Sequence, residues 1–141
     1  MTSTTQQPAA TRPDPIVTAD AAFFWEGARR GELLAQRCAD CGNLAHPPRP
    51  MCPACHSVHR EEVRLSGRGE VYSWIIPRHP PALGFAQPPV VAVIQLEEGI
   101  RLVSNVVGVA DGQVAIGMQV EVQFEPTVGG YAVPVFRPCA G

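Results

Sequence analysis

Two Cys-x-x-Cys pairs, Cys38-Ala39-Asp40-Cys41 and Cys52-Pro53-Ala54-Cys55, lie close together in the first half of the chain. No other feature restricts the fold as much. A tetrahedral Zn²⁺ takes two sulfurs from each of two tight turns, and two intervening residues place both sulfurs of a turn on one side of the backbone. Gly42 follows the first pair, where a residue able to take positive φ lets the turn close under the metal. His56 holds the matching place after the second pair, a less usual choice. A thioredoxin-like redox pair would need a helix N-terminus behind it. Pro47, Pro48, Pro50 and Pro53 argue against such a helix. Cys38, Cys41, Cys52 and Cys55 are therefore expected to hold one structural zinc ion. Four thiolates leave no coordination position for water or substrate, so the metal is expected to shape the molecule and not to catalyse.

Composition narrows the rest. A chain of 141 residues holds one medium domain or two small ones sharing an interface. With 45% hydrophobic and 17% charged residues it reads as an ordinary globular protein. No apolar run is long enough to span a membrane, and the first residues carry no signal-peptide pattern. A cytoplasmic setting with reduced cysteines is expected, which again favours metal over disulfides. Cys139, the fifth cysteine, is expected to have no role. The net charge of −2 gives no electrostatic footprint for nucleic acid. All eleven basic residues are arginine, a composition typical of high-GC bacterial genomes.

Along the chain, residues 1–17 read as a disordered leader without periodic apolar pattern. A short helix is expected over 20–30, with Asp20 as N-cap and Gly31 as its stop. It carries Phe23, Phe24 and Trp25 in a row, and consecutive helical positions point about 100° apart. Three adjacent aromatics therefore need protein on two sides, either both halves of the same chain or a partner. We take Phe23, Phe24 and Trp25 as partner-interface candidates. Short strands at 33–37, 44–46 and 61–65 complete a zinc ribbon, so that 18–65 forms the helix and ribbon. From residue 66 the pattern is all β. Strands are expected at 70–76, 90–96, 100–109, 120–124 and 131–136, with a Glu97-Glu98-Gly99 hairpin turn. In the first of them Val71, Ser73 and Ile75 are placed on one face, and Tyr72, Trp74 and Ile76 on the other. Five strands without an intervening long helix close most naturally as a Greek-key OB barrel over 66–138. The expected fold is thus mainly β: N-terminal helix, small zinc ribbon, five-stranded OB-fold barrel. The proline-rich connection 77–89 carries Leu83 and Phe85, apolar residues on a loop, together with His79. These three are candidates for a ligand-proximal loop.

Catalytic signatures are missing. There is no Gly-x-Ser-x-Gly elbow, no Walker loop and no Gly-x-Gly-x-x-Gly after a strand. Of the histidines, His56 and His59 adjoin the second knuckle, where His56 is a weak substitute ligand. His79 alone stands at an expected binding face and has no identifiable base or orienting partner. Adjacent glutamates at 61–62 and 97–98 point to opposite faces of a strand and make no catalytic pair.

Taken together, Phe24-Trp25-Glu26-Gly27, Gly31-Glu32-Leu33, Gln36-Arg37-Cys38-x-x-Cys41-Gly42, Pro47-Pro48-Arg49-Pro50-x-Cys52-Pro53-x-Cys55, Ser66-Gly67-Arg68-Gly69-x-Val71-Tyr72-Ser73 and Ile116-Gly117-Met118-x-Val120 resemble the DUF35 family. The resemblance runs from about residue 21 to 138. It implies a rubredoxin-like zinc ribbon and an OB-fold domain associated with acyl-CoA chemistry. It also implies an accessory, non-catalytic subunit in a hetero-oligomer with a thiolase-fold enzyme of the lipid-transfer-protein type, a thiolase or aldolase; for some members the partner is a MaoC-type hydratase. In that setting the cofactors are structural zinc and an acyl-CoA thioester shared with the partner. The family leaves the acyl chain open, and the high-GC composition points to degradation of steroid or other lipid side chains as the expected pathway. Two other readings stand beside it. One is a single-stranded nucleic-acid binder stacking bases on Tyr72 and Trp74, disfavoured by charge. The other is a stand-alone acyl-CoA enzyme using His79.

Overall fold

The computed structural model describes residues 10–110 and 112–139. A single helix, α1 (Ala22–Arg29), precedes a three-stranded antiparallel sheet of β1 (Leu34–Cys38), β2 (Leu44–Ala45) and β3 (Arg60–Arg64), ordered β2-β1-β3. The remaining strands are β4 (Arg68–Ile75), β5 (Val90–Leu96), β6 (Arg101–Val106), β7 (Gln119–Pro126) and β8 (Ala132–Pro138). They close a barrel in the order β4-β5-β6-β8-β7, with β6 and β8 parallel and the other pairs antiparallel. That is the expected OB-type barrel.

The helix stops where expected. Gly31 takes φ +76°, its N–H donates to the Ala28 carbonyl, and the Glu32 N–H reaches back to Gly27. This is a Schellman ending, which needs a left-handed residue just past the helix. Its start differs from expectation. The N-cap position is Ala21, without a side-chain cap. Thr18 accepts the Ala21 N–H, and Asp20 faces Arg60 at 3.8 Å. The carboxylate is one residue too early to reach the free N–H groups of the first turn.

The first barrel strand also departs from simple alternation. Val71 pairs with Ile94 and Ser73 with Val93, so Tyr72 is the extra residue of a β-bulge. Past it the faces exchange: Trp74 packs on the core and Ile75 points outward, 62% exposed. Val71 and Ile75 therefore lie on opposite sides, and Tyr72 and Trp74 do not form a common stacking face. The platform required by the nucleic-acid reading is not built.

Residues 10–17 are not a loose leader. The Thr11 hydroxyl donates to the Gly84 carbonyl at 2.7 Å. Arg12 bonds Asn105 Oδ1 at 2.7 Å and Glu125 at 2.9 Å, and its carbonyl accepts from the Val128 N–H. Asp14 Oδ1 accepts from the Thr127 hydroxyl and the Gly129 N–H. This strap ties the 77–89 loop and the β7–β8 turn to one another. The rest of the expected leader, residues 1–9, lies outside the described residues.

The buried cluster runs through both sheets. Phe24, Leu33, Ala35 and Leu65 from the helix and ribbon join Val71, Ile94, Leu96, Val120 and Phe136 of the barrel. At the junction Gly67 has φ +81°, and a Cβ there would collide with the Val122 side chain. Only glycine lets the chain turn from ribbon into barrel so close to β7.

Candidate metal centre and partner-facing clefts

The two Cys-x-x-Cys turns are near copies of each other. In the first, the Gly42 N–H donates to the Cys38 carbonyl and the Cys38 N–H to Asn43; in the second, His56 donates to Cys52 and Cys52 to Ser57, each bond 2.8–2.9 Å. Gly42 takes φ +78° and His56 φ +66°, the one non-glycine residue at positive φ among those described. His56 thus fills the left-handed place expected of it. The metal-competent cluster consists of the four cysteines, without His56.

The four Sγ atoms lie within 4.8 Å of one another, with Cys38 and Cys55 at 3.5 Å and Cys41 and Cys52 at 3.7 Å. Zn–S bonds of about 2.3 Å in a tetrahedron set the sulfurs about 3.8 Å apart. A disulfide would need about 2.05 Å. The sulfurs fit a metal and not a pair of disulfides. Their ionisation points the same way. The Cys41 N–H, which reaches the Cys38 sulfur at 3.4 Å, is the main cause that draws the Cys38 thiol down to about 6. Cys55 is pulled down by the Ser57 N–H, but its contacts with the Cys38, Cys41 and Cys52 sulfurs, together with partial loss of solvent, outweigh this and push it up to about 12. Neighbouring thiols cannot all ionise together unless a cation neutralises them, so binding a divalent ion releases protons. Asp40 tightens the first turn: its carboxylate accepts from Ser57 and lies 3.2 Å from His59 Nδ1, which together hold it below the usual range.

The aromatic triplet divides. Phe24 is 6% exposed and belongs to the core of its own chain, so the anchor role expected of it does not fit a docked helix. Trp25 meets it edge-on at 4.9 Å and is half-buried; Phe23 is also half-buried, with the Arg60 guanidinium 5.5 Å from its ring centre. Trp25, Phe24, His46, Ile16 and Val103 line an apolar cleft of about 420 Å³ between helix, ribbon and outer barrel wall. Two of its polar members are already occupied, Ser104 with the Pro134 carbonyl and Asn105 with Val90 and Arg12. Burial against Phe24 holds His46 below its ordinary pKa, favouring the neutral ring. Beside that ring, what remains on offer is apolar, and Ile16 and Val103 at its rim are 90% and 68% exposed.

The loop candidates separate too. Phe85 is half-buried under the Arg12 guanidinium, 4.9 Å from its ring centre, whereas His79 and Leu83 stand exposed. Neither of the latter lines the apolar cleft. Arg12, Asp14 and the buried Gln36 organise these surfaces, and sequence reasoning gave none of them a structural role, Gln36 entering only as part of a family motif. They are isolated polar residues without local pattern.

Two family models match. One, the rubredoxin-like zinc ribbon domain of ChsH2, covers residues 25–58. The other, the C-terminal OB-fold domain of ChsH2, covers residues 62–125. A probable enoyl-CoA hydratase alpha subunit of Thermomonospora curvata is 45% identical over 96% of this chain. The 3-oxo-4,17-pregnadiene-20-carboxyl-CoA hydratase alpha subunit of Mycobacterium tuberculosis is 41% identical over 78%. This chain spans 42% and 35% of those two proteins. A DUF35 domain-containing scaffold protein of Methanocaldococcus jannaschii is 40% identical, with 65% of this chain and 67% of that protein covered. Among solved structures, a chain of the Ltp2-ChsH2(DUF35) aldolase superposes with a TM-score of 0.85 at 43% identity, over 90% of this chain and 100% of that one. Zinc ribbon and OB-fold domain are thus matched one after the other, two thirds of a DUF35 scaffold protein and all of a DUF35 aldolase chain are covered, and the chain belongs to the DUF35 family.

Proposed function

We propose that this chain is an accessory subunit that docks on a thiolase-fold enzyme of the lipid-transfer-protein type and helps complete its acyl-CoA site, in an aldolase that shortens steroid or other lipid side chains. The observation that carries this reading is the end-to-end match to a chain of the Ltp2-ChsH2(DUF35) aldolase. The chemistry of the surface supports it. The described residues hold a four-cysteine metal site and present an apolar cleft with an exposed apolar rim. Such a patch marks an interaction site. The docking contacts assigned here are Trp25 and Phe23 on the helix and Leu83 on the 77–89 loop.

The test is co-expression with a thiolase-type partner, followed by cleavage assays on a CoA thioester with and without this chain. We expect a stable complex and a cleavage rate that depends on it. Equal rates with and without the chain would sink the accessory role. Trp25→Ala should weaken capture by about 2 kcal/mol or more, the loss typical of a buried aromatic anchor, with metal content unchanged. The names of the two hydratase alpha subunits favour a second reading, attachment to a MaoC-type hydratase. Hydration activity appearing with a hydratase partner, and no cleavage with a thiolase, would select it.

A further inference from the structure

We propose that Arg49 and Arg101 form a binding site for a phosphate-bearing ligand, in the cleft of about 460 Å³ between the ribbon and the β5–β6 hairpin. Charge pairing singles this cleft out. Arginines 12, 30, 37, 60, 64, 68 and 137 each face a carboxylate within 4 Å. Among the described residues, Arg29, Arg49 and Arg101 lack one, and the last two line the same cleft. Among the described residues, no acidic one lines it. The carboxylates of the adjacent hairpin are engaged elsewhere, Glu97 by Arg68 at 2.9 Å and Glu98 by the Ser66 N–H at 2.8 Å.

The backbone of Arg49 and the guanidinium of Arg101 are both held in place. Gln36, 3% exposed within β1, accepts the Arg49 N–H on its Oε1 at 2.8 Å. The same oxygen accepts from Arg60, whose Nη1 also holds the Arg49 carbonyl. A buried glutamine therefore fixes the backbone that presents Arg49, while the side chain of Arg49 has no partner among the described residues. Across the cleft, Arg101 lies 3.8 Å from the Tyr72 ring centre and donates from Nε to Gln95 at 2.6 Å. Tyr72 is the bulge residue of β4, so the irregularity that spoils strand alternation also supplies the platform for Arg101. With Nε spent on Gln95, the two terminal amino groups of Arg101 remain as donors. Two planar cations without a counter-ion match the charge and donor geometry demanded by a phosphate ester or pyrophosphate. His46 and Gln95 line the same space and add hydrogen-bonding groups.

Only the source of the phosphate rests on the acyl-CoA reading: either the nucleotide end of a CoA thioester or a free phosphate compound. The experiment uses the metal-loaded chain alone, so failure to capture a thiolase leaves it readable. Inorganic pyrophosphate and adenosine 3′,5′-bisphosphate are titrated by calorimetry and by arginine Nε–Hε signals. We expect binding that weakens with salt, and a loss of at least about tenfold for Arg49→Gln and for Arg101→Gln, the scale of a charge-assisted bond. Arg64→Gln, on the exposed side of β3, should bind as the wild type. Tighter binding of the bisphosphate than of pyrophosphate identifies a nucleotide source, and equal binding a free phosphate. No signal change with either probe at millimolar concentration overturns the site, as does wild-type binding by Arg49→Gln or an equal loss in Arg64→Gln. Should Arg101→Gln disturb the barrel, Arg49→Gln decides alone, because no internal contact of that side chain is lost.

Discussion

The ribbon and the barrel bury themselves by different means. In the ribbon, β3 has no buried residue and β2 is two residues long. The barrel buries Phe136, Ile94, Leu96, Val71, Val120 and Val135 almost completely. The ribbon compensates with four thiols at coordination distance, the usual recourse of a unit too small for its own core. Yet the buried cluster is continuous from Phe24 and Ala35 to Phe136. The two regions differ in what holds them while sharing a wall.

Metal removal puts most strain on that comparison. Structural zinc contributes on the order of 10 kcal/mol to a module of this kind. Chelation, or Cys38→Ser, should collapse amide dispersion across 34–64 in an NMR spectrum while barrel signals persist. Simultaneous melting of β5 and β8 would show instead that the shared wall makes one cooperative unit. The converse change comes next in size. Ile94 is fully buried in the barrel, and Ile94→Ala should cost about 2–5 kcal/mol in urea denaturation, with metal per folded chain unaltered. A fall in metal content would mean that the ribbon leans on the barrel more than the cysteines imply.

The smallest effect lies at the seam, where burial lowers the pKa of His46. A histidine whose folded pKa lies below its unfolded value disfavours folding once protonated. Its full contribution is therefore present above the ordinary histidine pKa and is lost as pH falls through that value towards the folded one. Comparing urea midpoints of wild type and His46→Phe at about pH 7.5 and about pH 5.5 should show a shallower acid loss in the variant. Parallel losses would assign acid sensitivity to other groups, the thiolates and the paired carboxylates of Asp40 and Glu97 among them.

The cysteine turns were legible because metal chemistry is written in local spacing. The barrel strands were legible because β-branched alternation marks them, as in β5, where burial alternates without a break from Val90 to Leu96. The Tyr72 bulge left no trace, since an extra residue changes no composition. The strap was misread for a related reason: Thr11, Arg12 and Asp14 look like solvated polar chain until their distant partners are known. The helix start slipped by a residue or so, as helix ends commonly do. Of the aromatic triplet, only Phe24 is fully covered by its own chain, and Phe23 and Trp25 stay half-buried. Which ring goes inward depends on how helix and ribbon meet, and that is not local information. Arg49 and Arg101 were invisible as a pair, because the sequence counts charges without showing which of them find partners.

The strap also sets an order of events. Arg12 and Asp14 meet Glu125, Thr127 and Gly129, partners 113 to 115 residues downstream. On a ribosome these early residues emerge long before anything exists for them to grip, and the cysteine turns can close in the meantime. Joining points so far apart carries a loop-closure penalty that the finished barrel removes, because by then the intervening chain is already folded. The strap is therefore fastened last. Its formation registers that β7 and β8 are in place, and a chain cut before Thr127 would leave residues 10–15, and the proline loop they hold, without their anchorage.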